Sequence, residues 1–241
     1  MLWEELNWME FEKLIPEKYD TVILPVGTME AHGVAPIGTD NFIPLEMAKR
    51  IADDLNAIIA PIVNYGITRT LLGYPGSTSV SPETYEKMMT EIMLSITEWK
   101  FKKLVVLNGH GGNTKVLSNV AQAVWAARKI KIAVIDWWML GDDIVQRIYG
   151  RDGGHAATDE NAAIQAFRPE LIHEDFYSDD MVFNQPPGTT IYPNPGTILA
   201  YKEGAGFIDF DQKKAEEYFA AITERVKTHI LEIFRRWERL G

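Results

Sequence analysis

Glu30, His32 and Asp40 stand in one glycine-rich stretch of the chain, His110 in a second and Glu160 in a third. Imidazole nitrogens and carboxylate oxygens are the donors that hold Zn, Mn or Fe as a Lewis acid, so these residues form a candidate ligand set. Glu30 and His32 differ by two positions and project to the same side of an extended segment. Asp40 has a second reading, as the N-cap of a helix that begins there. The chain has 5 His. His32, His110 and His155 lie in glycine-flanked segments, whereas His173 and His229 sit in ordinary helical or loop context. If Glu30, Asp40 and Glu160 converge, each carboxylate pair at about 4 Å repels by roughly 4 kcal/mol at an effective dielectric of about 20. Only bound cations make such a cluster tolerable at neutral pH. The chain reads as a metal-dependent hydrolase.

These residues need a scaffold that gathers them. Apolar runs at residues 21–26, 57–63, 103–107 and 130–135 are short, rich in Val and Ile, and lack clean alternation, as strands covered on both faces do. Helical patterns lie between them. Thr39 or Asp40 opens one through Leu55. Ser81 and Pro82 open a second, with Tyr85, Met88, Met89, Ile92, Met93 and Ile96 on one face. Asn113 is read as the cap of a third helix through Ala127, and Thr158 or Asp159 as the cap of a fourth through Ala166. A long helix is expected from Phe210 to Trp237. Alternation of strand and helix predicts a three-layer α/β/α fold with a mostly parallel central sheet, which brings the ligand set to one end of the sheet. Residues 175–207, rich in Pro, Gly and Asn, are expected to be irregular and to lean over the site.

At 241 residues and 46% hydrophobic content, the chain is expected to form a single domain over residues 1–241. Its net charge of -10, with no lysine or arginine cluster standing apart, argues against nucleic acid and anionic membrane as partners. A small-molecule substrate fits better. With 0 Cys, disulfides and thiolate ligands are excluded. The first twenty residues mix acids through apolar positions, unlike a signal or transit peptide, and no apolar run approaches a membrane span, so a cytoplasmic enzyme is expected.

The E-x-H-G segment ending in G-T-D, the N-G-H-G-G-N turn and the H-A-x-x-x-E segment, in that order, resemble the creatininase family. The resemblance implies an α/β/α fold, a two-metal site and assembly as a ring-like homo-oligomer. It implies Glu30 and His110 on one divalent ion, His32 and Glu160 on another, and Asp40 bridging both. The ions are expected to be Zn or Mn, with Fe as an alternative. A metal-bound hydroxide would then attack a carbonyl carbon, with His155 passing a proton to the leaving group. Trp137 and Trp138 follow the strand ending at Asp136, and the resemblance makes them candidates for a substrate-binding wall, with core packing as the alternative.

Three departures stand out. Creatininase itself carries a glutamate two residues after the second-motif histidine, where this chain has Gly112. The first motif holds Val34, Ala35 and Pro36 in place of a second histidine, and the histidine before the Pro75-Gly76 turn is missing. The pocket is therefore expected to favour a small cyclic amide or a formamide over creatinine, with carbon–carbon ring opening of a keto-inositol-type cyclic ketone as the second choice. Two other classes compete. Residues 105–114 could form a nucleotide-binding turn, although G-H-G-G-N fits neither the dinucleotide fingerprint nor a Walker lysine pattern. A mononuclear iron enzyme could use His32, His110 and one carboxylate, which leaves two acids unexplained.

Overall fold

A computed structural model describes residues 1–186 and 188–240. In chain order the main elements are α1 (Trp8–Leu14), β1 (Thr21–Val26), α2 (Thr39–Ile51), β2 (Ala57–Ile59), α3 (Pro82–Thr97), β3 (Lys103–Asn108), α4 (Thr114–Arg128) and β4 (Lys131–Asp136). They continue with α5 (Asp142–Tyr149), β5 (Gly154–His155), α6 (Thr158–Phe167), β6 (Val182–Asn184), β7 (Ile198–Ala200) and α7 (Gln212–Leu240). The central sheet is parallel, in the order β2-β1-β3-β4. Because successive side chains on a strand alternate faces, Ile23, Val105, Leu107 and Ile135 meet α2, α5, α6 and α7 on one side. Val22, Leu24, Val26, Leu104 and Val106 meet α1, α3 and α4 on the other. This is the expected three-layer α/β/α fold. The chain leaves β1 for β2 on one flank and returns to β3 on the opposite flank, so the crevice beyond the carboxyl ends of β1 and β3 is the topological switch point.

Several local expectations need correction. The second strand stops at Ile59, because Pro61 lacks a backbone donor and Val63 makes only an isolated bridge to Val26. Gly38 stands at the N-cap of α2 without a side-chain cap; Asp40 lies inside the first turn, and its carboxylate faces imidazoles rather than backbone N–H groups. Asn113 precedes α4 but does not cap it: its amide accepts from Ile67 N–H at 3.0 Å and donates to the Gly27 carbonyl at 3.0 Å, tying two loops together. Neither Thr158 nor Asp159 caps α6, since Asp159 accepts from Gly154 N–H at 3.0 Å and the Thr158 hydroxyl donates to the Phe207 carbonyl. The last helix begins two residues later than expected, where Asp211 accepts from the N–H groups of Lys213 and Lys214.

The segment from Asp175 to Phe207 is not wholly irregular. It carries β6 and β7, which pair in parallel, while β7 pairs antiparallel with β5 and so touches the His155 segment. The basic residues also gather more than their sequence spacing suggests. Lys102, Lys103, Arg128, Lys129 and Lys131 share a groove with Asp20 and Glu238 at the amino ends of β1, β3 and β4, on the side of the sheet away from the switch point.

Candidate metal centre

Two glycines let α2 approach the sheet at the switch point. A Cβ on Gly27 would lie 2.3 Å from the Asp40 carbonyl oxygen, and one on Gly109 would lie 2.0 Å from the same atom. Only a bare backbone at the ends of β1 and β3 admits the first turn of α2 this closely. Asn108 then shapes the turn after β3. Its amide donates to the His110 carbonyl at 2.9 Å and to Asp136 at 2.7 Å, and its Oδ1 accepts from His110 N–H at 3.1 Å.

The side chains that result are buried and crowded. Asp40 Oδ1 lies 2.9 Å from His32 Nε2, and Oδ2 lies 2.8 Å from His110 Nδ1. Glu160 Oε2 is 3.5 Å from His32 Nε2, Glu30 Oε2 is 3.5 Å from His110 Nδ1, and the same Glu30 oxygen is 3.6 Å from His155 Nδ1. Three groups have ligand atoms within 4.8 Å of one another: Glu30, Asp40 and His110; His32, Asp40 and Glu160; and Glu30, His32 and His155. Each imidazole turns its other nitrogen to a main-chain carbonyl. His32 Nδ1 meets Glu30 O at 2.8 Å, His110 Nε2 meets Ile67 O at 2.9 Å, and His155 Nε2 meets Ala31 O at 2.9 Å. Such a contact fixes the tautomer and leaves the inward nitrogen as the donor lone pair.

The electrostatics call for positive charge. Burial disfavours a charged His32, yet Asp40, Glu160 and Glu30 outweigh it and raise the imidazole to about 10. His110 is likewise raised to about 9 by Glu30 and Asp40 against the cost of burial. Burial pushes Glu160 up to about 8, with Asp40 and Asp159 adding to the push. Burial also raises Glu30. Asp40 moves the opposite way: burial is outweighed by His32 and His110, which hold its carboxyl well below the usual range. His32 Nε2 and Asp40 Oδ2 are nonetheless buried without a hydrogen bond of good geometry. Buried polar atoms left without a well-made hydrogen bond are a strained arrangement for a protein alone and a fitting one for cation ligands. The donor set is nitrogen and oxygen only, as Zn and Mn accept.

A cavity of about 740 Å³ opens over the cluster and is lined in part by Glu30, Asp40, His110, His155 and Glu160. His32 lies beneath them, wholly buried. Trp138 lines the cavity, but Trp137 does not reach it; it is wholly buried in the core beside α7, as the first residue of a short 3₁₀ turn, and the two rings meet edge to face with centroids 6.3 Å apart. Asp159, Arg69, Lys115 and Tyr201 line the cavity as well and were not expected there. Nothing local marks Arg69 or Tyr201 in the sequence, because each is brought in by a loop. Asp159 carried a signal in its adjacency to Glu160, which reads equally well as helix-end decoration.

Known proteins give the same picture. The family described as Creatininase: Creatinine amidohydrolase matches residues 4–232. Creatinine amidohydrolase of Pseudomonas putida is 26% identical over 225 residues, covering 82% of this chain and 86% of that protein. The mycofactocin precursor peptide peptidase of Mycolicibacterium smegmatis is 34% identical over 104 residues, 40% of this chain and 42% of that one. A manganese creatininase structure superposes with a TM-score of 0.82 at 22% identity, covering 97% of this chain and 98% of that one. A Zn-Zn form of an E122Q creatininase superposes at 0.81 with 21% identity and the same coverage. By the family match over nearly its whole length, supported by the shared fold, this chain belongs to the creatininase family and is a metal-dependent hydrolase of the amidohydrolase type.

Proposed function

We propose that this protein hydrolyses a C–N bond in a small cyclic amide or a formamide, using two divalent ions, Zn or Mn. Glu30 and His110 would hold one ion, His32 and Glu160 the other, and Asp40 both. The observation that carries the reading is the position of Asp40, whose two oxygens face different imidazoles at 2.8 and 2.9 Å. When bound, such ions lower the pKa of a water towards about 7 and polarise a carbonyl oxygen.

His155 moves the proton. Its Nε2 is engaged by the Ala31 carbonyl, so Nδ1 faces the cluster as an acceptor. Burial, followed by the charge of His32, holds this imidazole down at about 3, so the resting ring is uncharged. Nδ1 takes the proton released by the attacking water and returns it to the departing nitrogen. Trp138 supplies an apolar wall. Creatinine itself is disfavoured by Gly112, where a Cβ would meet Ile67 O at 2.1 Å and His110 Nε2 at 2.5 Å. This pocket is built without a side chain at that position. The family match does not favour a nucleotide-binding turn or a mononuclear iron enzyme, and phosphates at the residue 109–112 turn would face Glu30 and Asp40.

Assembly as a homo-oligomer belongs to the same reading and is tested by light scattering. Elemental analysis of protein purified without chelator should find about two ions per chain. A screen of lactams, formamides and cyclic ketones should give turnover of an amide that chelator abolishes and Zn or Mn restores. Iron alone with oxygen-dependent turnover, or no bound ion, would reject the proposal.

A further inference from the structure

The cavity carries two cations that the chemistry above does not use. Arg69, from the loop that follows β2, and Lys115, in the first turn of α4, both line it within the same wall system as Glu30 and His110. Both are exposed at its mouth. Among the described residues neither forms an ion pair. Glu83 feels the field of Arg69 but stays beyond pairing distance. Some surface cations do find acids, as in Arg128 with Glu98, Arg147 with Glu217 and Lys202 with Asp152. In a chain of net charge -10, two cations beside the reaction centre are thus left available to a ligand. The acids of the cavity outside the metal cluster, Asp142 and Asp159, come from α5 and α6 and sit close enough to feel each other's charge. The cations of the cavity thus come from the Arg69 loop and α4, and these acids from other elements. Asn119 lies one turn along α4 from Lys115, on the same face, and offers a neutral amide beside the ammonium. The Arg69 loop is tied to the start of α4, where Ile67 N–H donates to Asn113 at 3.0 Å, and a guanidinium and an ammonium lining one cavity recognise an oxyanion, the first through its planar fork and the second as a point charge.

We infer that the substrate is an anionic amide: a carboxylate or phosphate, carried a few atoms from the scissile bond, is held by Arg69 and Lys115 while the amide carbonyl reaches the cluster below. This rests on the hydrolase reading and narrows its substrate class.

Matched pairs that differ only in charge test it on the metal-loaded protein. N-formyl-β-alanine is compared with its neutral amide, and N-formyl-O-phosphoethanolamine with N-formylethanolamine, reading kcat/KM and, by calorimetry, Kd. The anionic member of at least one pair should be preferred by about tenfold or more in Kd and kcat/KM, with the preference shrinking as salt rises. Whichever pair shows the larger ratio identifies the anion. In an R69Q/K115Q protein, checked for native circular dichroism, the charged-to-neutral ratio should fall towards one. A ratio near one in the parent, or a ratio unchanged in the double variant because the anion binds the ions directly, overturns the inference. If no pair is turned over yet the Kd ratio behaves as stated, the hydrolase reading fails and the anion site stands. Turnover without charge preference fails the anion site alone.

Discussion

Gly111 and Gly112 are neighbours with opposite tolerances. A Cβ on Gly111 would meet only Trp138 Cζ2, at 3.8 Å, which is ordinary contact. One on Gly112 would lie 2.1 Å from the Ile67 carbonyl oxygen and 2.5 Å from His110 Nε2, the two partners of a 2.9 Å hydrogen bond. Neither partner can retreat freely. The Ile67 loop is anchored by its own N–H to Asn113, and His110 is held at its other nitrogen by Asp40. In Gly112→Ala the carbonyl and the ring must part by more than about 1 Å to restore normal contact. Losing a buried hydrogen bond costs about 1–3 kcal/mol, and forcing extra volume into a packed site costs a similar amount. The expected destabilisation is about 2–6 kcal/mol. Because the lost bond orients a ligand, metal affinity should also fall by about 10–100-fold. Urea denaturation of metal-free protein and competition with a chelator measure the two effects. Gly111→Ala serves as the control and should leave both within about 0.5 kcal/mol. A Gly112→Ala protein with parental stability and parental metal affinity would refute the reasoning, as would equal damage at Gly111.

Replacing Asp40 with Asn keeps its shape but removes the charge facing both imidazoles; bound metal should fall from about two ions to fewer than one per chain by elemental analysis. His155→Ala should keep both ions and lower kcat by about 10²–10⁴, and retention of full rate would remove His155 from the reaction. Asp20 tests the far end of the sheet. Burial works against its charged form, but the Lys103 ammonium at 3.1 Å outweighs this and lowers its pKa below 3.8. A lowered carboxylate stabilises the fold above its unfolded value, and the effect is lost as pH falls through the lowered one. Asp20→Asn should therefore cost up to about 1 kcal/mol after solvent screening, a difference seen by urea denaturation at neutral pH and lost as pH falls through the lowered value.

The parts of the fold that could be read from the sequence are those whose signal is local. The six residues of β1 are all buried and appear in the sequence as an unbroken apolar run. Ser81 followed by Pro82 starts α3 as such a pair should, with the Ser81 hydroxyl accepting from Thr84 N–H. The capping box of α1, Asn7 with Glu10, is a local signal of the same kind. Where the signal is non-local, it fails. Asn113 looks like a cap, but its amide is claimed by Gly27 and Ile67, which are remote in sequence. Strands β6 and β7 have three residues each and exist only through their pairing, so no periodicity announces them. The five proposed ligands were legible because their glycine-flanked motifs encode close backbone approach. Arg69 was not, because exposure in a loop leaves no pattern in the sequence. Trp137 and Trp138 are adjacent and chemically alike, and the turn that sends one ring to the core and the other to the cavity is invisible before folding.

His32, His110 and His155 each lean on a carbonyl of the polypeptide backbone, at Glu30, Ile67 and Ala31. Backbone atoms are common to every residue type, so exchanging the side chains at Ile67 or Ala31 does not delete these props as long as the chain path is kept. The pocket rim can thus be rebuilt for a new substrate while the aim of the imidazoles is carried by the chain itself.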